Sequence, residues 1–116
     1  MTGYSRGDVV LVRFIFTDET GERRRPAVIV SSDAYHQNRQ EAIIVAITSK
    51  TDRILMGDHL ISGWQDAGLL FPSVATGIIR TIKQGMIGKK LGKMPLPDMK
   101  GIEDNLRDAL GLKQRS

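Results

Sequence analysis

The chain has 116 residues, 26% of them charged and 41% hydrophobic, with a formal net charge of +4. That balance belongs to a folded soluble domain with one core rather than to a disordered or membrane-spanning chain. The absence of cysteine excludes disulfides, a thiol nucleophile and thiolate metal sites, and the longest apolar run, Ala42 to Ile47, is too short to cross a bilayer. Met1 to Arg6 lacks the apolar stretch of a signal peptide, so a cytoplasmic protein is expected.

In chain order, Gly7-Asp8 is turn chemistry and Val9 to Phe14 is a first strand, with Val10, Val12 and Phe14 on one face. Thr17 to Glu22 is a polar hairpin loop leading into Arg23-Arg24-Arg25. Pro26 to Ser31 is a second strand. Proline has no amide proton, which suits a strand's first position, and it biases Arg25 towards an extended backbone, fixing that guanidinium at the strand mouth. Ser32-Asp33 caps a short helical turn from Tyr35 to Gln40. Ala42 to Ser49, nearly all apolar, is a central strand covered on both sides. Lys50 to Asp58 is an irregular excursion, followed by a short strand from Asp58 to Ile61 and by Trp64, which packs on a core edge. Next come a strand over Ala75 to Lys83 and a short strand or turn around Met86-Ile87. An amphipathic helix with Pro97 in its first turn, Gly111 as its cap and Met99, Ile102, Leu106 and Leu110 inward closes the chain. The expectation is a mainly β single domain over residues 1–116: a small, partly closed antiparallel barrel with a C-terminal helix.

Two basic clusters stand out: Arg13, Arg23, Arg24 and Arg25, then Arg80, Lys83, Lys89, Lys90 and Lys93. Each reads as a solvated face or as part of a polyanion site. His36 and His59 lie in polar surroundings without metal-ligand spacing and are taken as surface residues; no metal or cofactor is expected. There is no Walker loop, dinucleotide fingerprint or nucleophile elbow. What remains is Arg25 at the start of one strand and Thr48 at the end of a later one. On antiparallel neighbours these share a sheet edge, where a cation and a hydroxyl can bind a phosphodiester. They would stabilise the charge that builds as the 2′-hydroxyl of RNA attacks it. The competing reading pairs Arg25 with Glu22 or Asp33 and spends the Thr48 hydroxyl on a backbone group.

Gly7-Asp8-Val9-Val10, then Gly21 with Arg25-Pro26-Ala27-Val28-Ile29-Val30-Ser31, then Ile43 to Ser49, then Ile79-Arg80-Thr81-Ile82 ahead of a closing helix together resemble the MazF/PemK family of toxin endoribonucleases. The likeness runs in order over nearly the whole chain. It implies an SH3-like barrel of the CcdB/MazF kind, a homodimer, and metal-independent cleavage of single-stranded RNA at a short sequence. It also implies inhibition by a cognate antitoxin whose acidic tail fills the RNA groove. The family's motif arginine and threonine fall on Arg25 and Thr48, with Arg25 stabilising the phosphorane and donating to the 5′-oxygen while Thr48 orients the phosphate. Arg23, Arg24, Ser49, Arg80 and Glu19 make up the expected RNA- or antitoxin-contacting set. The chain departs from the family pattern at Val74-Ala75-Thr76-Gly77-Ile78-Ile79-Arg80, where Ala75 and Gly77 cannot do acid–base work. Its first hairpin loop offers Asp18, Glu19 and Glu22 as bases but no histidine. Two other readings are a CcdB-like toxin acting on DNA gyrase through its C-terminal helix surface, and an RNA-binding relative without catalysis.

Overall fold

The β-branched run after Gly7 forms β1 (Asp8–Ile15), which pairs antiparallel with β2 (Glu22–Ile29) in the computed structural model, where residues 3–15 and 22–113 are described. Helix α1 (Asp33–Asn38) is capped as expected: the Ser32 hydroxyl accepts the Tyr35 amide at 3.1 Å. Then come β3 (Glu41–Thr48), β4 (His59–Leu60), β5 (Val74–Lys83), β6 (Ile87–Lys93) and α2 (Leu96–Leu110). Among the described residues, six strands form one sheet in the order β4-β5-β3-β2-β1-β6. This is the expected antiparallel sheet with a C-terminal helix, barrel-like but left open, with β4 and β6 as its edges.

Strand alternation divides the apolar residues between two faces. Val9, Val28, Val45 and Ile47 pack beneath Met99 and Ile102 of α2, and Trp64 packs against the same cluster. Val10, Val12, Ala27, Ile29 and Ile44 lie on the other face with Ile82 and Ile87. β3 therefore carries apolar residues in both registers, which is why its sequence shows no clean alternation. Helix α2 ends at Gly111, whose φ of 69° is left-handed, but Leu110, expected to face inward, is exposed.

Several expectations need correcting. Pro26 is not the first residue of its strand but the fifth of β2. Beyond the end of β2, the Val30 amide donates to the Ile43 carbonyl at 2.9 Å, so residues of the same parity, Val28 and Pro26, turn their backbone groups towards β3. Pro26 has no proton to give there. The β2–β3 ladder stops at Ala27 opposite Ala46, whereas the β1–β2 ladder continues to Ile15 opposite Glu22. An interior strand thus accommodates proline because its β3 side is unpaired from that point on. β6 runs seven residues where a short strand or turn around Met86-Ile87 was expected; Gly88 and Gly92 are tolerated because it is an edge strand that follows β1 through register shifts.

The histidines are not simple surface groups. His36 is buried with Nε2 2.6 Å from the Ser31 hydroxyl. His59 Nε2 lies 2.8 Å from Asp98 Oδ1, and Asp98 also accepts the Ser62 and Gly63 amides at 2.8 and 2.9 Å. Burial alone would raise the Asp98 carboxyl pKa, but the hydrogen bonds from His59, Ser62 and Gly63 outweigh it and hold the group below its ordinary value.

Candidate functional site

The parting of β2 and β3 at Pro26 defines the site. Continuing the register of Ala27 opposite Ala46 by two residues sets Arg25 level with Thr48, on the same sheet face. The ladder has already ended at this level, so the two residues stand where β2 and β3 are no longer paired. Arg25 is exposed and stands opposite Val12 of β1, whose paired backbone keeps it extended. Thr48 Oγ1 accepts the Lys50 amide at 3.2 Å. The backbone bond weighed against a functional role therefore exists, yet it uses an acceptor lone pair and leaves the hydroxyl proton free to be donated.

Alternation splits the arginine run differently from the sequence reading, which grouped Arg23 with Arg24. Arg23 shares the face of Arg25, while Arg24 points to the opposite face, directly across from Arg13. Like charges facing one another across a ladder repel, and together the two arginines add to a positive patch at this end of the hairpin. Ser49, just past β3, lines a cavity of about 580 Å³ with Pro26, Leu70, Phe71, Lys89 and Lys90. Arg80 is exposed on the face of Arg25, but its level is that of Ile44 and Ile29, about 13 Å along the sheet. It does not stand beside Arg25 and Thr48. Glu19 and Asp18 lie outside the described residues, and so does the side chain of Glu22.

Two features were missed in the sequence. β6 pairs with β1, placing Lys89 opposite Leu11 and Lys90 opposite Val10, so the late lysines adjoin the early arginines. Lys90 Nζ lies 3.3 Å from the buried Asp8 carboxylate, and Lys83 instead pairs with Glu41 at 3.1 Å. The 50–58 loop, read as a mere excursion, joins Thr48 in lining a cavity of about 620 Å³ through Lys50, Asp52, Arg53 and Asp58. Its charged residues at near-alternate positions were the available signal. Gly77, the departure from the family pattern, is where this loop rests: a Cβ there would lie 3.2 Å from the Met56 carbonyl oxygen and 3.3 Å from Gly57 Cα. Among the described residues no group of three or more His, Cys, Asp or Glu is placed to hold a metal ion, and no helix is long and apolar enough to cross a membrane.

Structure comparison finds the same architecture in a mycobacterial endoribonuclease solved in complex with its cognate antitoxin, at TM-score 0.76 and 24% identity, covering 97% of this chain and 100% of that one. A MazE–MazF complex from Deinococcus radiodurans matches at TM-score 0.81 and 16% identity over 97% and 100% of the two chains. The Mycobacterium tuberculosis toxin MazF-mt6 matches at 0.69 and 19% over 90% and 99%. None of the curated proteins matches in sequence. At these identities the structures speak for the fold; the family rests on the family model for PemK-like, MazF-like toxins, which matches residues 5–110. The chain therefore belongs to the PemK-like, MazF-like toxins of type II toxin–antitoxin systems.

Proposed function

We propose that this toxin is an endoribonuclease that cleaves single-stranded RNA without a metal, with Arg25 and Thr48 at the scissile phosphate. One observation carries the reading: the β2–β3 register sets the two residues level on one face where Pro26 ends the ladder. The 2′-oxygen of RNA attacks the adjacent phosphorus, the bond to the 5′-oxygen breaks, and a 2′,3′-cyclic phosphate and a 5′-hydroxyl result. Arg25 acts electrostatically on the phosphorane; a guanidinium keeps its proton, so the departing oxygen takes its own from solvent. Thr48 donates to a non-bridging oxygen. Of the carboxylates lining the Thr48 cavity, Asp58 already accepts two amides, which leaves Asp52 able to take the 2′-hydroxyl proton.

Arg23, Arg24, Lys89 and Ser49 would draw in and hold the RNA strand or an acidic antitoxin tail, with Arg80 and Glu19 further along its path. A homodimer is supported by the exposed apolar side chains Leu60, Leu70 and Phe71. A cytoplasmic location follows from an RNA substrate. Arg25→Ala is expected to remain folded and to lose about a hundredfold or more in cleavage of single-stranded RNA in excess EDTA. Cleavage at the wild-type rate would overturn the assignment of Arg25.

A further inference from the structure

Asp58 ties together three parts of the chain. Its Oδ1 accepts the Gly77 amide of β5 and its Oδ2 the Leu55 amide, both at 2.9 Å. Its backbone amide returns to the Leu55 carbonyl at 3.0 Å, and its carbonyl accepts Asn105 Nδ2 of α2 at 2.9 Å. Against this knot, Gly57 and Gly77 come together backbone to backbone, so the loop has one seat on β5 and no side chain in the way. The Leu55 and Met56 side chains are nonetheless exposed, so the loop is held in place by hydrogen bonds and not by burial.

A loop with so little apolar anchorage opens easily unless such bonds pin it. Here the pinned loop carries Lys50, Asp52 and Arg53 into the cavity that also contains Thr48. Its volume, about 620 Å³, lies in the range of ligand pockets. Its lining mixes apolar surface from Leu55 and Ile78 with charged and hydroxyl groups, the combination that holds a splayed-out base by its face and its edges.

We propose that Asp58 is a positioning residue that pins the 50–58 loop to β5 beside Thr48, and that the pinned loop selects the nucleotide flanking the cleaved phosphate. Gly77 is then the loop's seat, which accounts for the missing side chain at that position. The proposal rests on the endoribonuclease reading above.

The test compares wild type, Asp58→Ala, Asp58→Asn and Gly77→Ala. Asp58→Ala is expected to speed hydrogen exchange at the Leu55 and Gly77 amides, to raise KM roughly tenfold, to lower kcat as well because the same loop carries Asp52, and to broaden the cut sites mapped on a mixed-sequence RNA. Asp58→Asn keeps one acceptor oxygen and falls in between. Gly77→Ala unseats the loop from the other side and gives the same pattern, which keeps the proposal testable if Asp58→Ala does not fold. Unchanged exchange at the two amides, or faster exchange with KM and cut sites unchanged, overturns it. If wild type leaves RNA uncut, the endoribonuclease reading fails instead. Binding of a randomised 2′-O-methyl RNA pool then decides the clamp: weaker binding by Asp58→Ala supports it and equal binding overturns it.

Discussion

Asp98 is buried at the start of α2 with His59, Ser62 and Gly63 all donating to its carboxylate. Replacing it with alanine strands two backbone amides, and Asp98→Ala should cost about 3 kcal/mol in urea unfolding at neutral pH. Its folded pKa lies below the unfolded value of about 3.9, so its stabilisation is complete above that value and is lost as pH falls through the folded pKa. The gap between the urea midpoints of wild type and Asp98→Ala should narrow in that acid window; a constant gap would contradict the shift. Neither Asp98 nor Asp58 was legible in the sequence, since an aspartate that accepts buried amides reads the same as a solvated one. The proposed pair of Arg25 and Thr48 was legible as a candidate, because each adjoins a recognisable apolar run, although only the register showed that the two stand level.

Among the elements, the strand boundaries that followed from hydrophobic runs held, and the ones that followed from a single residue did not. β3 and α2 were readable from composition and spacing, including the Pro97 and Gly111 signals. β2 was cut short because Pro26 was taken to open the strand, whereas hydrogen bonding to β1 carries it back through all three arginines. The structural role of this proline is to end pairing on the β3 side alone. Pro26→Val restores an amide facing Ile47 and should extend the β2–β3 ladder by a residue. The expected result is an undiminished melting temperature with RNA cleavage lowered about tenfold or more, because pairing the strands at this level would shift Arg25 relative to Thr48. A variant with wild-type cleavage would show that the end of pairing has no part in the reaction.

Across the whole molecule, the fold converts charges distant in sequence into neighbours, through the pairing of β6 with β1 beside β2. No periodicity announces that pairing, because an edge strand with glycines and bulges lacks a hydrophobic pattern. Its consequence is measurable at Lys89, which lines the cavity shared with Pro26 and Ser49. Lys89→Ala should lower the slope of log affinity against log salt for 2′-O-methyl RNA by about 0.7. Lys90 is the poorer probe, since its removal strips the buried Asp8 carboxylate of its cation. An unchanged slope for Lys89→Ala would place the RNA elsewhere. The opposition of Arg13 and Arg24 reaches beyond affinity. A polyanion bound across the two guanidinium groups would offset their mutual repulsion, and occupancy and folding would then be coupled by mass action. Toxin without a bound polyanion would then be the form closest to unfolding, and its lifetime would depend on how soon that surface is occupied.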